Sequence, residues 1–221
     1  MQTYMQIEIT KDGSPTILIP EWNERYHSKN GALQESLYVY IQNGLFFIDK
    51  PVIRILEIGL GTGLNVLLTY AHQKPQTKII YEALEPFPLS QDIYEKLDYS
   101  HLEGLENTAL LFQKIHAIEP AQPLNVRENF LFTKYFQKVQ EYETPHLWDL
   151  VYWDAFGPRV QPEMWSLGLC QKIYDLLDIG GIIVTYCSQG QFKRNLKQVG
   201  FEVEVLPGPP FKREMTRGIK K

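Results

Sequence analysis

The chain is 221 residues long, with 44% apolar and 22% charged residues and a formal net charge of −4. Those values suit one domain, or one domain with a modest extension, able to bury its own core. They exclude a helical membrane span, since no run reaches roughly 18 apolar residues; Cys170 and Cys187 are too few for a disulfide framework and lack metal-site spacing.

The N-terminus lacks a basic region followed by an apolar stretch, so no secretory signal is expected. The expectation is a cytoplasmic protein with two reduced thiols, no membrane association and no metal. Charge is unevenly placed. Residues 190–221 hold eight Lys/Arg against three Glu, net +5, while the other 189 hold 14 basic and 23 acidic residues, net −9. A basic segment on an acidic body can bind phosphates locally; a solvated C-terminal face is the plainer alternative.

In chain order, a hairpin comes first. Met5–Thr10 and Thr16–Pro20 flank Lys11-Asp12-Gly13-Ser14, whose Asp-Gly supplies the turn. A polar stretch follows, then a helix over Gly31–Gln42 with Leu33, Leu37, Tyr40 and Ile41 on one face. Asn43-Gly44 stops it, which makes residues 1–44 an extension ahead of a domain over 45–221. Strands are predicted at Val52–Ile58, Lys78–Leu84, Leu150–Trp153 and Ile182–Tyr186, alternating with helical stretches such as Leu64–His72 and Met164–Leu177. Such alternation implies βαβ units and a mostly parallel sheet covered on both faces. Gly180-Gly181 reads as a helix-to-strand turn, and Phe201–Pro207 with Lys212–Thr216 as an antiparallel pair at the sheet's end. Residues 100–130 give no clear pattern.

The most informative string runs Glu57-Ile58-Gly59-Leu60-Gly61-Thr62-Gly63-Leu64-Asn65. A buried strand enters three alternating glycines, needed where backbone turns sharply and passes close to a ligand. A dinucleotide fingerprint would require glycine at position 64, where Leu64 stands. The pattern E-x-G-x-G-x-G resembles instead motif I of class I methyltransferases. That resemblance implies S-adenosylmethionine against the loop at its amino-acid end, with Glu57 on its ammonium. A glycine turn without ligand and a dinucleotide site are the alternatives.

The next strand ends Tyr81-Glu82-Ala83-Leu84-Glu85-Pro86. A carboxylate at this tip can accept from both ribose hydroxyls, and Glu85 is the candidate. Glu82, inside the strand, is expected to face solvent or a salt bridge. Asp154 closes the strand Trp148–Trp153 and precedes Ala155-Phe156-Gly157-Pro158. A carboxylate here can orient an amine and help draw off its proton, and Phe156 can wall the target from water. Asp154 as a helix cap and Phe156 as core packing are the structural alternatives.

Taken in order, these segments resemble a family. Ser28–Glu35, the glycine loop, Leu84-Glu85-Pro86-Phe87-Pro88-Leu89, Asp154–Pro158, Pro162-Glu163-Met164-Trp165 and Gly208–Met215 are similar to the methyltransferase domain of MnmC-type tRNA wobble-uridine enzymes. The likeness covers about Glu24 to Gly218 and implies a Rossmann-like class I α/β fold. A mostly parallel seven-stranded sheet would carry helices on both faces, behind a small hairpin and helix extension. It implies methylation of the aminomethyl nitrogen of 5-aminomethyl-2-thiouridine in tRNA. Ending at Lys221 with no second glycine-rich unit, the chain is expected to do only that step, with a separate oxidase or tRNA-modifying enzyme supplying the amine. By the same resemblance Gly31 and Glu35 flank the cofactor, and Lys212 and Arg213 hold tRNA phosphates. Tyr26 and Tyr186 are candidates to stack on the extruded base, with packing the alternative. The family's usual adenine-binding acid is missing from Phe132–Lys138, where Gln137 is the substitute candidate. A polyamine aminopropyltransferase and a non-catalytic RNA-binding module are the competing functions. The first would want a second carboxylate beside Asp154 and the second a damaged glycine loop, and neither is found.

Overall fold

A computed structural model describes residues 4–221; the first three residues of the N-terminal extension lie outside the described residues. β1 (Gln6–Ile9) and β2 (Pro15–Ile19) form the expected hairpin, joined by a short β3 (Glu24–Arg25). Asp12 at its turn does more than turn the chain. Its Oδ1 accepts from Ser14 N–H at 3.1 Å, while Oδ2 accepts from Gln34 N–H at 3.0 Å and so caps the helix that follows.

That helix is not regular. α1 (Ala32–Ser36) passes directly into a π-helical turn over Leu37–Gln42. The wider turn broadens the 3.6-residue stripe: Val39, Tyr40 and Ile41 are all buried, whereas Leu33 and Leu37 are only half-buried. The predicted face holds, since Leu33 and Leu37 pack against the core that buries Tyr40 and Ile41, and the π turn adds Val39 to it.

The main sheet is built from β4 (Val52–Ile58), β5 (Lys78–Leu84), β6 (Leu124–Arg127), β7 (Phe130–Tyr135), β8 (Trp148–Trp153), β9 (Leu177–Thr185), β10 (Phe201–Pro207) and β11 (Glu214–Lys220). Their order is β10-β11-β9-β8-β4-β5-β7-β6. It has eight strands where seven are expected. The extra one, β6, is a four-residue antiparallel edge against β7, inside the stretch without a sequence pattern. β9 through β7 run parallel, and β11 slots antiparallel between β9 and β10. The Gly180-Gly181 pair is not a helix-to-strand turn. It lies within β9, where the register against β8 jumps from Trp148↔Leu177 to Leu150↔Ile182, a bulge that Gly180 permits with φ +78°.

Successive strand residues point to opposite faces, and two apolar clusters follow from that. Ile55 and Tyr152 face a core closed by α2 (Leu64–His72), the short α3 (Gln91–Tyr94), α4 (Ala109–Ala117) and the π turn. Leu56, Val151 and Trp153 face a second core under α5 (Leu167–Leu176) and α6 (Gly190–Gln198). The N-terminal extension shares the first core through Ile17 of β2 and Ala32 of α1. Cys170 and Cys187 are buried free thiols. Among the described residues no helix is long and apolar enough to cross a membrane, and no cluster of His, Cys, Asp and Glu could hold a metal.

Candidate active site

Strand register brings the site together. Ile58 pairs with Leu84 on one side and Trp153 on the other, so the next residues, Gly59, Glu85 and Asp154, leave the sheet at one level. Gly59 N–H still donates to Leu84 O at 2.9 Å and Asp154 N–H to Ile58 O at 3.0 Å. The chain winds from β4 to β5 and β7, then returns to β8 on the opposite flank of β4. Ligands of open α/β sheets bind beyond the strands' carboxyl ends at such a reversal. A cavity of about 880 Å³ opens there, lined among others by Gly59, Gly61, Glu85, Asp154 and Phe156; its size is in the range of small-molecule sites.

The glycine loop is squeezed from both sides. Gly59 has φ +90°, and a Cβ on it would lie 2.7 Å from Asp154 O; on Gly61, with φ +52°, it would lie 3.1 Å from the Tyr26 ring. At Gly59 no side chain fits against the Asp154 backbone, and at Gly61 the Tyr26 ring would have to give by a few tenths of an ångström. Gly63 begins α2 against Ile115 and does not line the cavity. Glu85 closes the loop from the second strand: Oε2 accepts from Gly61 N–H at 3.0 Å and Oε1 from Phe87 N–H at 2.9 Å. Burial pushes its carboxyl above the usual range, while the two N–H donors hold it down. Each oxygen keeps a second lone pair for a ligand donor. Glu82, by contrast, accepts from Tyr142 O–H at 2.6 Å.

Asp154 belongs to a buried relay. The Asn65 amide donates to both Glu57 Oε1 and Asp154 Oδ2, each at 2.9 Å. Glu57 is fully buried and does not line the cavity. The expected contact of Glu57 with the cofactor's ammonium is not laid out on the cavity wall, behind which both Glu57 and Asn65 lie. Burial drives the Glu57 carboxyl well above the ordinary range, against the Asn65 bond. Glu57 Oε2 and Asn65 Oδ1 have no hydrogen-bond partner and lie buried behind the cavity wall. Asp154 is raised to about 6, chiefly by burial, with Tyr40 and Asn65 opposing and Glu35 adding to the rise. It is not a helix cap.

Phe156 lines the cavity in an edge-on cluster, 5.1 Å from the Tyr26 ring and 5.8 Å from Trp22. Its backbone is pinned twice: its N–H donates to Gln161 Oε1 at 3.1 Å, and its O accepts from Trp165 Nε1 at 2.9 Å. Trp165 comes from the Pro-Glu-Met-Trp turn, so that motif braces the Asp154 loop. Arg159 reaches Glu24 at 2.7 Å and ties the same loop to the N-terminal hairpin.

Other expected residues divide. Glu35 lines the cavity, whereas Gly31 does not; a Cβ on Gly31 would collide with the Asp12 carboxylate, so its smallness serves the helix cap. Lys212 turns inward, where the expectation has it facing tRNA phosphates at the site mouth. It enters the cavity, 2.5 Å from Glu35 Oε2 and 4.3 Å from the centre of the Tyr186 ring. Tyr186 also lines the cavity and donates to Ala155 O at 2.7 Å. Arg213, next in sequence, is exposed. Gln137 lines the cavity, with Glu141 four residues on; a carboxylate after β7 is thus present, slightly beyond Phe132–Lys138. Tyr40, buried beside Asp154, shows in the sequence only as part of a helix face. His116 carries no sequence signal at all: it bonds Thr62 O at 3.1 Å from beneath the loop, and burial lowers it to about 4, so it stays neutral.

Comparisons with known proteins agree with this geometry. Residues 97–221, more than half of the chain, match the family model described as S-adenosyl-L-methionine-dependent methyltransferase. The tRNA 5-methylaminomethyl-2-thiouridine biosynthesis bifunctional protein MnmC of Pseudoalteromonas atlantica is 29% identical over 96% of the chain and 33% of its own length. That of Paraburkholderia xenovorans is 28% identical over 90% of the chain and 32% of its own length. The chain therefore spans about a third of these relatives. The crystal structure of MnmC2 from Aquifex aeolicus is 25% identical, with a TM-score of 0.79, over 100% of this chain and 72% of that one. Spermidine synthase from Thermotoga maritima, at 15% identity and TM-score 0.63 over 97% and 68%, shares the fold. The chain belongs to the S-adenosyl-L-methionine-dependent methyltransferases.

Proposed function

We propose that this chain transfers a methyl group to the aminomethyl nitrogen of 5-aminomethyl-2-thiouridine at the tRNA wobble position, in the cytoplasm. The observation that carries the reading is the emergence of Asp154 level with Gly59 and Glu85 at one cavity. The MnmC relatives, named for this nucleoside, support the substrate. A separate oxidase or tRNA-modifying enzyme would supply the amine. Residues 1–44 would act as an extension that roofs the domain over 45–221.

The groups present suit the cofactor. Gly59 and Gly61 present bare backbone to the cavity, and Glu85 on the same wall keeps lone pairs for ribose hydroxyls. Gln137 or Glu141, both on the cavity wall, would accept from the adenine amino group. When bound, the cofactor supplies an electrophilic methyl on a positively charged sulfur. The protein's part is to present a nucleophile with a free lone pair. A primary amine is mostly protonated near neutral pH. Asp154, ionised above about 6, can accept a hydrogen bond from it, aim its nitrogen and draw off a proton. Phe156, held by Trp165 and Gln161, keeps water from that approach. Exposed Arg213 would contact phosphate.

Incubation with methyl-labelled cofactor and tRNA from cells lacking the activity tests the reading. Nucleoside mass spectrometry should find label in 5-methylaminomethyl-2-thiouridine. Unlabelled tRNA, or label in an added polyamine instead, would replace it.

A further inference from the structure

The strap joining β10 to β11, residues 208–213, carries Lys212 inward. Gly208 N–H donates to Arg213 O at 3.1 Å and Lys212 N–H to Pro209 O at 2.9 Å, closing the strap on itself. A Cβ on Gly208 would lie 2.5 Å from Lys212 O, so only glycine allows that closure. Phe211 sits at φ +70°, an unfavourable conformation for a bulky residue, and its ring is 73% exposed. With Phe211 turned out, Lys212 turns in.

Two groups meet its ammonium, Glu35 Oε2 at 2.5 Å and the Tyr186 face at 4.3 Å, and Asp154 lines the same cavity. Tyr186 is fixed in turn by its bond to Ala155 O at 2.7 Å. Two carboxylates and an aromatic face are what recognises a primary alkylammonium. A lysine side chain ends in the same CH₂–NH₃⁺ group as an aminomethyl substituent.

We propose that Glu35, Asp154 and the Tyr186 ring form the pocket for the substrate's aminomethyl group, and that Lys212 occupies it as a placeholder which the substrate displaces. This rests on the reading of the substrate as an amine. The lysine keeps the buried Glu35 carboxylate paired before substrate arrives, which avoids an uncompensated charge. It also sets selectivity, because a uridine without a cationic arm gains nothing that offsets its removal. A pocket open for a fraction of the time binds with only that fraction of its intrinsic affinity.

Calorimetry on protein saturated with S-adenosylhomocysteine tests this, with 5-aminomethyluridine nucleoside and neutral 5-methyluridine as probes. Lys212→Met should bind the aminomethyl probe about tenfold more tightly, as expected for a pocket otherwise open about a tenth of the time, and 5-methyluridine no better. Adding Glu35→Gln should remove the gain. Unchanged or weaker binding of the aminomethyl probe, or an equal gain for the neutral one, would overturn the proposal. The wild-type chain gives a readout free of folding effects: acylation of Lys212, followed by mass spectrometry, should speed up several-fold when the aminomethyl probe is bound. No change, or protection, would count against it. Should tRNA prove not to be methylated while the selective gain persists, the tRNA reading falls and the pocket stands. Methylation without the gain would leave the tRNA reading in place and remove the pocket.

Discussion

Lowering the pH from 7 to 5 should cut methyl transfer about tenfold, because Asp154 passes from mostly ionised to mostly protonated around its value of about 6. The assay is kcat/KM with both substrates below saturation, which reports the free enzyme. A positively charged cofactor beside the carboxylate favours its ionised form, so the limb in kcat should lie at lower pH. Stability should move the opposite way. The folded value lies above the unfolded 3.8, so the stability this group contributes is fully present below that unfolded value and lost as pH rises through about 6. The loss is on the order of 1–3 kcal/mol at neutral pH. Asp154→Asn should accordingly lower kcat at least about a hundredfold, flatten the acid limb and leave cofactor binding intact. It should also raise stability at pH 7 by up to that amount. An Asn variant that loses activity, cofactor binding and stability together would refute the reasoning, since Asp154 would then serve the fold. So would an acid limb that survives the substitution.

Other perturbations follow from the same geometry. Gly59→Ala places a Cβ 2.7 Å from Asp154 O at φ +90°; about 2–4 kcal/mol should be lost, with cofactor affinity, read by urea denaturation and equilibrium dialysis. Asn65→Leu removes the donor shared by Glu57 and Asp154, which should cost roughly 1–3 kcal/mol and raise the pH of the Asp154 limb. Trp165→Phe removes the bond to Phe156 O and shortens a buried ring packed on Trp153 and Phe192; kcat should fall severalfold and stability by roughly 2–4 kcal/mol, read by thermal denaturation. Arg213→Ala should weaken tRNA binding and reduce the slope of log affinity against log salt by about one; an unchanged slope would remove Arg213 from the RNA surface.

Much of the fold is legible in the sequence because its signals are local. Strands at Val52–Ile58 and Lys78–Leu84 are β-branched runs ended by glycine or proline, and they appear with those bounds. Site residues that close strands, Gly59, Glu85 and Asp154, can be placed because a parallel sheet brings its carboxyl ends to one edge. What stays hidden depends on depth and long-range packing. β6 is four residues long, too short for period-two alternation to show. The π turn after Ser36 keeps a helical composition while adding Val39 to the buried face. Glu57 and Asn65 share the glycine-loop motif, yet only three dimensions show that they bond to each other behind the cavity wall. Lys212 reads as a surface cation among basic neighbours; nothing in the local sequence says that a left-handed Phe211 turns it toward Glu35, 177 positions earlier.

A crystal structure with S-adenosylhomocysteine bound tests the central claim most directly. The ribose hydroxyls should lie on Glu85, the amino-acid end against Gly59–Gly63, and the sulfur should face Asp154 and Phe156. Ligand density away from that loop, or Asp154 facing away from the sulfur, would contradict it.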